Sequence, residues 1–198
     1  MENLVSNLER RAALTGEKNP GVRVVDLYSI VPSITGKIEL VYEGEQQGAV
    51  AVTRQLLGEA LGELFKEHFP DPNQTRKAAG GPHAGAAPDP FKPVTDWFAK
   101  NNRVELDDRS PQASYVEALE QVPGLKAAVQ AHWPTRDAAE LAFRMELVLE
   151  GLHLNSVLAK QDAVTGAVYI DLLKSMSEQF EEGPRPPRRG RPPDRDDA

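Results

Sequence analysis

Few residues in this chain have the type and spacing for chemistry. Ile34-Thr35-Gly36-Lys37 carries the Gly-Lys pair of a phosphate-binding loop. Such a loop needs a glycine five residues before that pair and Ser or Thr after the lysine. Backbone amides then cradle phosphate and the hydroxyl holds Mg²⁺. Position 31 is Val and position 38 is Ile, so both requirements fail. The segment reads as a turn leading into a helix. The four histidines, His68, His83, His132 and His153, include no i, i+3 or i, i+4 pair, so spacing brings no metal set together. His153 ends an apolar face and reads as a helix-terminal or interface histidine. His83 sits in a Pro/Gly-rich stretch and reads as solvated.

Glu39, Glu43 and Glu45 cluster, the first two one helical turn apart. Paired carboxylates could hold Mg²⁺ or act as acid and base. With no nucleophile or third ligand nearby, a solvated helix face is the favoured reading. Ser6, Ser33 and Ser156 lie in no Gly-x-Ser-x-Gly setting. No catalytic set and no metal set therefore emerges. Arg10 and Arg11 follow Glu9 and are weak candidates for contacting a cofactor phosphate or a neighbouring subunit. An exposed arginine pair with local ion pairing is the favoured alternative. Arg189-Gly190-Arg191-Pro192 has the core of a minor-groove AT-hook. Asp194, Asp196 and Asp197 offset its charge, so a solvated Pro/Arg tail is favoured.

Composition bounds what could position these residues. The chain has 198 residues, 40% apolar and 27% charged, enough for one domain or two small ones. It has no cysteine, which excludes disulfide scaffolds, thiolate zinc sites and thiol nucleophiles. No apolar run approaches the ~18 residues of a membrane span, and MENLVSNLERR lacks the apolar region of a signal peptide. A soluble, cytoplasmic protein without membrane contact is expected. The net charge of −7 makes nucleic acid an unlikely general partner.

The expected fold class is all-α, in two helical groups joined by a Pro/Gly-rich linker. Residues 1–69 form the first, lid-like group. Glu2 to Leu14 has helical spacing, with Gly16 as its stop. Starting at Met with no preceding cap, it resembles a helix cut from a longer chain. Asn19-Pro20-Gly21 is a turn. Val24 to Val31 has strand-like β-branched content, yet Val24, Leu27, Tyr28 and Val31 recur at helical spacing; helix is favoured and strand stays open. Ser33 is the expected N-cap of a helix reaching Tyr42, and Glu43 to Gly48 should bend or interrupt it. Ala49 to Phe69 is the clearest helix, with Val50, Leu57, Leu61, Leu64, Phe65 and Phe69 as its stripe and Pro70 as its end.

Residues 70–93 lack periodicity and are expected to be a disordered linker. Residues 94–180 form the expected second group. Its helices are the segment VTDWFAKNN, one opened by Ser110-Pro111, Pro123 to His132, Thr135 to Leu154 with Thr135 as N-cap, and Val164 to Phe180. Residues 181–198 are expected to be a disordered Pro/Arg tail.

The segment DLYSIVPSITGKIELVYEGEQQG, from Asp26 to Gly48, with the preceding ENLVSNLERRAALTGE, carries a resemblance. It resembles the region just after the ATPase core in bacterial AAA+ proteins of the magnesium chelatase I-subunit-like type, within the MoxR-like group. TDWFAKNNRVELDD, YVEALEQVPGLKAAV and ELAFRMELVLEGLH resemble stretches of the C-terminal part of the same proteins. The resemblance covers most of Glu2 to Ser177 apart from the Pro70 to Pro93 stretch. Walker A, Walker B, sensor and arginine finger, which family members carry upstream, are absent here. The family's ATP-contacting arginine falls near or before Met1, so the resemblance does not assign it to Arg10 or Arg11. What it implies is a lid and C-terminal helical region that mediates assembly or partner contacts without hydrolysing ATP. ATP and Mg²⁺ would belong to the separate core. The implied partners are an AAA+ ATPase core, a ring of like subunits and a von Willebrand factor A-domain protein. A stand-alone helical adaptor, its tail contacting DNA or another protein, is the alternative.

Overall fold

The computed structural model describes residues 2–39, 48–79, 89–163 and 166–181. Helix α1 (Glu2–Thr15) stops where the sequence places its stop. Gly16 takes φ 74° and its N–H reaches the Ala12 carbonyl at 2.9 Å. The Val24 to Val31 segment is helical. It runs from α2 (Val24–Leu27) through a 3₁₀ turn (Tyr28–Ile30) into α3 (Val31–Thr35). Ser33 lies inside α3 and is not an N-cap, and Gly36 ends that helix. The expected helix from Ser33 to Tyr42 therefore does not cover residues 36–39, and residues 40–47 lie outside the described residues.

Helix α4 (Ala49–His68) matches its expected span. Its stripe is only partly internal: Leu61 and Phe65 are buried, whereas Val50 is 53% exposed. Helix α5 (Pro72–Ala79) falls within the stretch expected to be disordered, so that expectation fails there. Asp89 explains how the following chain is held. Its buried carboxylate accepts the Phe91 amide at 2.9 Å and the Thr75 hydroxyl at 3.2 Å. The intervening residues 80–88 and the tail residues 182–198 lie outside the described residues.

Next come α6 (Lys92–Ala99), β1 (Val104–Leu106), α7 (Gln112–Glu120), α8 (Leu125–His132), α9 (Ala138–Leu154), β2 (Leu158–Ala163), β3 (Gly166–Asp171) and α10 (Leu172–Glu181). The molecule is mostly helical, but all-α is corrected by an antiparallel sheet ordered β1-β3-β2. Tyr169 of β3 stands opposite both Val104 and Lys160. Within the expected helix from Val164 to Phe180, Gly166–Asp171 is a strand and the helix begins only at Leu172. The apparent helical spacing of Val168 and Leu172 straddles the junction. Ala167 and Tyr169 are buried while Val168 is only half-buried, the alternation of a strand. At the start of α9 the cap is Asp137, which accepts the Glu140 amide at 2.8 Å, and not Thr135.

The two expected groups share one core. Phe65 of α4 and Phe69, just past its end, pack with Phe91, Phe98, Leu119, Val129, Met145 and Leu152. Their meeting point is Gly151 on α9. A Cβ there would sit 2.2 Å from the Phe65 ring, so only glycine lets the ring approach. A second cluster of Val24, Leu61 and Leu147 seats α2 between α4 and α9. Burial of these apolar surfaces is the main stabilising term.

Candidate functional site

Helix α9 is buried on all sides from Met145 to Leu152, and two carboxylates are buried with it. Glu146 and Glu150 are one turn apart and each 1% exposed. Glu146 Oε2 accepts the Val24 amide at 2.6 Å, and its Oε1 accepts the Val25 amide at 3.2 Å. These are orphan donors at the start of α2, which no residue of that helix could satisfy from within. Burial pushes the Glu146 carboxyl up to about 7. The Val24 amide, Tyr115 and Lys160 oppose that shift, and Glu150 adds to it. The Tyr115 hydroxyl is buried without a hydrogen bond of full geometry among the described residues, and burial raises its own pKa well above the ordinary phenol value.

Glu150 is loaded differently. Its Oε1 accepts the Tyr28 hydroxyl at 3.0 Å. Its Oε2 accepts Tyr169 Oη at 2.6 Å and Lys160 Nζ at 2.8 Å. Burial again favours the neutral acid, but the Lys160 ammonium and the bonds from Lys160 and Tyr169 outweigh it. The net shift is below the ordinary carboxylate range. Lys160 also lies 4.7 Å from the Tyr28 ring centre, over its face.

A third buried carboxylate anchors α1. Asp26 Oδ1 accepts Arg11 Nη1 at 2.6 Å and Asn7 Nδ2 at 2.8 Å, while Oδ2 accepts the Arg23 amide at 2.9 Å. Arg11 Nη2 donates to the Gly21 carbonyl. The Arg23 guanidinium crosses to the β1–α7 loop, donating to the carbonyls of Asp107 at 3.1 Å, Asp108 at 3.2 Å and Ser110 at 2.7 Å. It stacks 3.9 Å from the Tyr115 ring centre, and burial followed by Arg11 lowers its pKa.

Beside Glu150 lies a cleft of about 860 Å³ between α4 and the β2–β3 pair. Tyr28, Glu150, His153 and Lys160 line it on one side, and Glu59, Glu63 and Lys66 on the other. Two neighbouring carboxylates with opposite pKa shifts are the usual mark of acid–base chemistry. Here each carboxylate oxygen already holds a donor, and those donors come from α2, the 3₁₀ turn and the sheet. The arrangement clamps elements together. Among the described residues no group of three His, Asp or Glu could hold a metal ion.

The candidates read from spacing end up elsewhere. Arg11 is 1% exposed and paired to Asp26, which corrects the exposed arginine pair. Arg10 is exposed and donates to Asn7 at 2.8 Å. Neither lines the cleft. Glu39 is exposed, while Glu43, Glu45 and His83 lie outside the described residues. His68 stacks on Trp133 at 3.7 Å and His132 meets Phe69 edge-on at 6.1 Å. His153 is in the last turn of α9, its Nδ1 3.3 Å from the Leu158 carbonyl oxygen. The residues that spacing did not single out are Asp26, Glu146, Glu150 and Lys160. No protein-family model, no curated protein and no solved structure matches this chain. Among the described residues no helix is long and apolar enough to cross a membrane.

Proposed function

We propose that the chain is a helical accessory module of a magnesium chelatase-like, MoxR-like AAA+ ATPase, acting in the cytoplasm through assembly and partner contacts. ATP and Mg²⁺ belong to the motor core in this reading. The arginines of α1 serve structure and not nucleotide. One observation carries the proposal beyond the sequence resemblance. The two leading stretches of that resemblance, ENLVSNLERRAALTGE and the segment beginning at Asp26, are tied into one unit by the buried Arg11–Asp26 pair. That unit turns Val5, 48% exposed, and Leu14, 64% exposed, outward from α1. At about 100° per residue the two stand on opposite sides of α1, so each is a separate point of contact for another protein in this reading. The partners in this reading are the AAA+ core, like subunits in a ring and a von Willebrand factor A-domain protein.

The test is binding of the purified chain to a separately produced MoxR-like AAA+ core, followed by calorimetry and by the core's ATPase rate. The expected result is saturable binding that changes the core's rate and weakens at least tenfold in V5D/L14D. No binding, or binding indifferent to that pair of substitutions, overturns the proposal.

A further inference from the structure

We propose that β2 and α4 are the two walls of a peptide-docking groove. An extended segment of a partner protein adds to the free edge of β2 as a fourth strand and sets a lysine or arginine against Glu59 and Glu63 of α4. The inference does not rest on the identity of any motor, and Val5 and Leu14 of α1 take no part in lining the groove.

Topology sets the edge. In the order β1-β3-β2, β2 pairs with β3 on one side, and among the described residues no strand pairs with it on the other. Alternate residues of an antiparallel pair turn both N–H and C=O away from the partner strand. The Leu158 carbonyl marks the phase, because it meets the His153 ring of α9 at 3.3 Å. By the period of two, Lys160 and Asp162 present their backbone groups on that same side of a strand about 20 Å long. His153 lines the cleft, so the free edge opens onto it. An unpaired edge is a template for another strand.

Helix α4 is the facing wall, across the cleft of about 860 Å³. Helix α9 packs against both walls and supplies Glu150, His153 and Leu154 between them. In a groove between an edge strand and a helix, main-chain hydrogen bonds give affinity and alternate side chains give selectivity. Small residues leave room for the incoming backbone: Gly58 and Gly62 on α4, Ala163 on β2, and Gly166 and Ala167 on β3.

The charge of the occupant follows from the pairs already made. Lys160 is bound to Glu150 at 2.8 Å and Lys66 to Glu63 at 2.9 Å. Arg54, which also lines the cleft, is already engaged. Glu59 is exposed and accepts the neutral Gln55 side-chain amide at 3.0 Å, and the Glu63 side chain is 75% exposed. These two carboxylates stand one turn apart on α4, and a basic side chain is their complement. This chain's own Pro184 to Pro193 carries arginines, but half of it is proline, which has no N–H to give a strand.

The probe is a set of heptapeptides selected on the full chain from a randomised display library and resynthesised with a fluorescent label. Enriched sequences should carry Lys or Arg at one fixed position. By anisotropy, E59Q/E63Q should weaken their binding tenfold or more, while V5D/L14D leaves it unchanged. N-methylation of alternate peptide residues should abolish binding in one phase and spare it in the other. Bound peptide should slow hydrogen exchange at the Lys160 and Asp162 amides at least tenfold. The groove is overturned by a library that yields no binder, by loss of binding in V5D/L14D, or by indifference to E59Q/E63Q or to N-methylation in both phases. Should E59Q/E63Q not fold, the N-methyl series and the exchange at Lys160 and Asp162 decide, and unchanged exchange there overturns the proposal.

Discussion

Removing the Arg11 guanidinium tests the whole account of how α1 is held. Arg11 and Asp26 are both essentially inaccessible and 2.6 Å apart. Taking away one member of a buried pair typically costs about 3–5 kcal/mol, because the other charge stays in the interior uncompensated. In R11M, Asp26 keeps the Arg23 amide and the Asn7 side-chain amide, which places the cost near the lower end. Loss of the bond to the Gly21 carbonyl pushes it upward again. The working figure is about 3–4 kcal/mol, or roughly 6–15 °C in Tm for a chain of this size. R10M, one residue away on the same helix, removes only an exposed hydrogen bond and should stay within about 0.5 kcal/mol of the wild type. Urea unfolding of R11M, D26N and R11M/D26N completes a cycle whose coupling should be about 2 kcal/mol or more. Equal costs for R10M and R11M, or a coupling near zero, would refute the reasoning.

Three further outcomes follow from the packing and the charges. G151A drives a methyl group into the Phe65 ring and should cost about 3 kcal/mol or more by thermal unfolding, well above an ordinary surface glycine. L61A should cost about 2–5 kcal/mol while V50A on the same helix stays below about 0.5, since only Leu61 is buried; equal costs would mean the stripe points elsewhere. K160M leaves Glu150 with its tyrosine partners alone and should cost about 3 kcal/mol at pH 7. Because the Glu150 carboxyl lies below its ordinary 4.5, the stability it contributes is present above that value and lost as pH falls further. The K160M penalty should therefore shrink in unfolding measured at pH 3 against pH 7.

The long helices were legible because their stripes are long. Ala49 to Phe69 and Thr135 to Leu154 each repeat an apolar residue over four turns or more, and α4 and α9 fall where that repeat lies. The short elements were not. Three residues make β1, too few for alternation to declare itself. Val168 and Leu172 share a helical interval by coincidence of a strand ending where a helix begins. The stretch from Pro72 to Ala79 looked structureless because its own apolar content is low. What holds the adjoining chain is Asp89, a polar residue whose burial no hydropathy pattern announces.

The buried carboxylates escaped notice for a different reason, and that reason is a usable signal. A stripe argument assigns charged residues to the water side by default. On α9 the default fails because there is no water side. At about 100° per residue, Met145, Leu149 and Leu152 occupy one side while Leu147 stands nearly opposite. Glu146 and Glu150 fall in the gap between Leu149 and Leu147, with apolar neighbours on both flanks. A Glu-x-x-x-Glu pair inside a helix whose apolar residues encircle it must be buried, and buried carboxylates must find donors. The donors then had to come from other elements, and they did: two amides from α2, hydroxyls from the 3₁₀ turn and β3, and an ammonium from β2. Their identity was out of reach of spacing alone, because each lies at least ten residues away in the chain. The same logic separates the two acids. Among the described residues only Glu150 of the two bonds a cation, and Lys160 with the Tyr169 bond takes its pKa below the ordinary carboxylate value, whereas burial pushes Glu146 up to about 7.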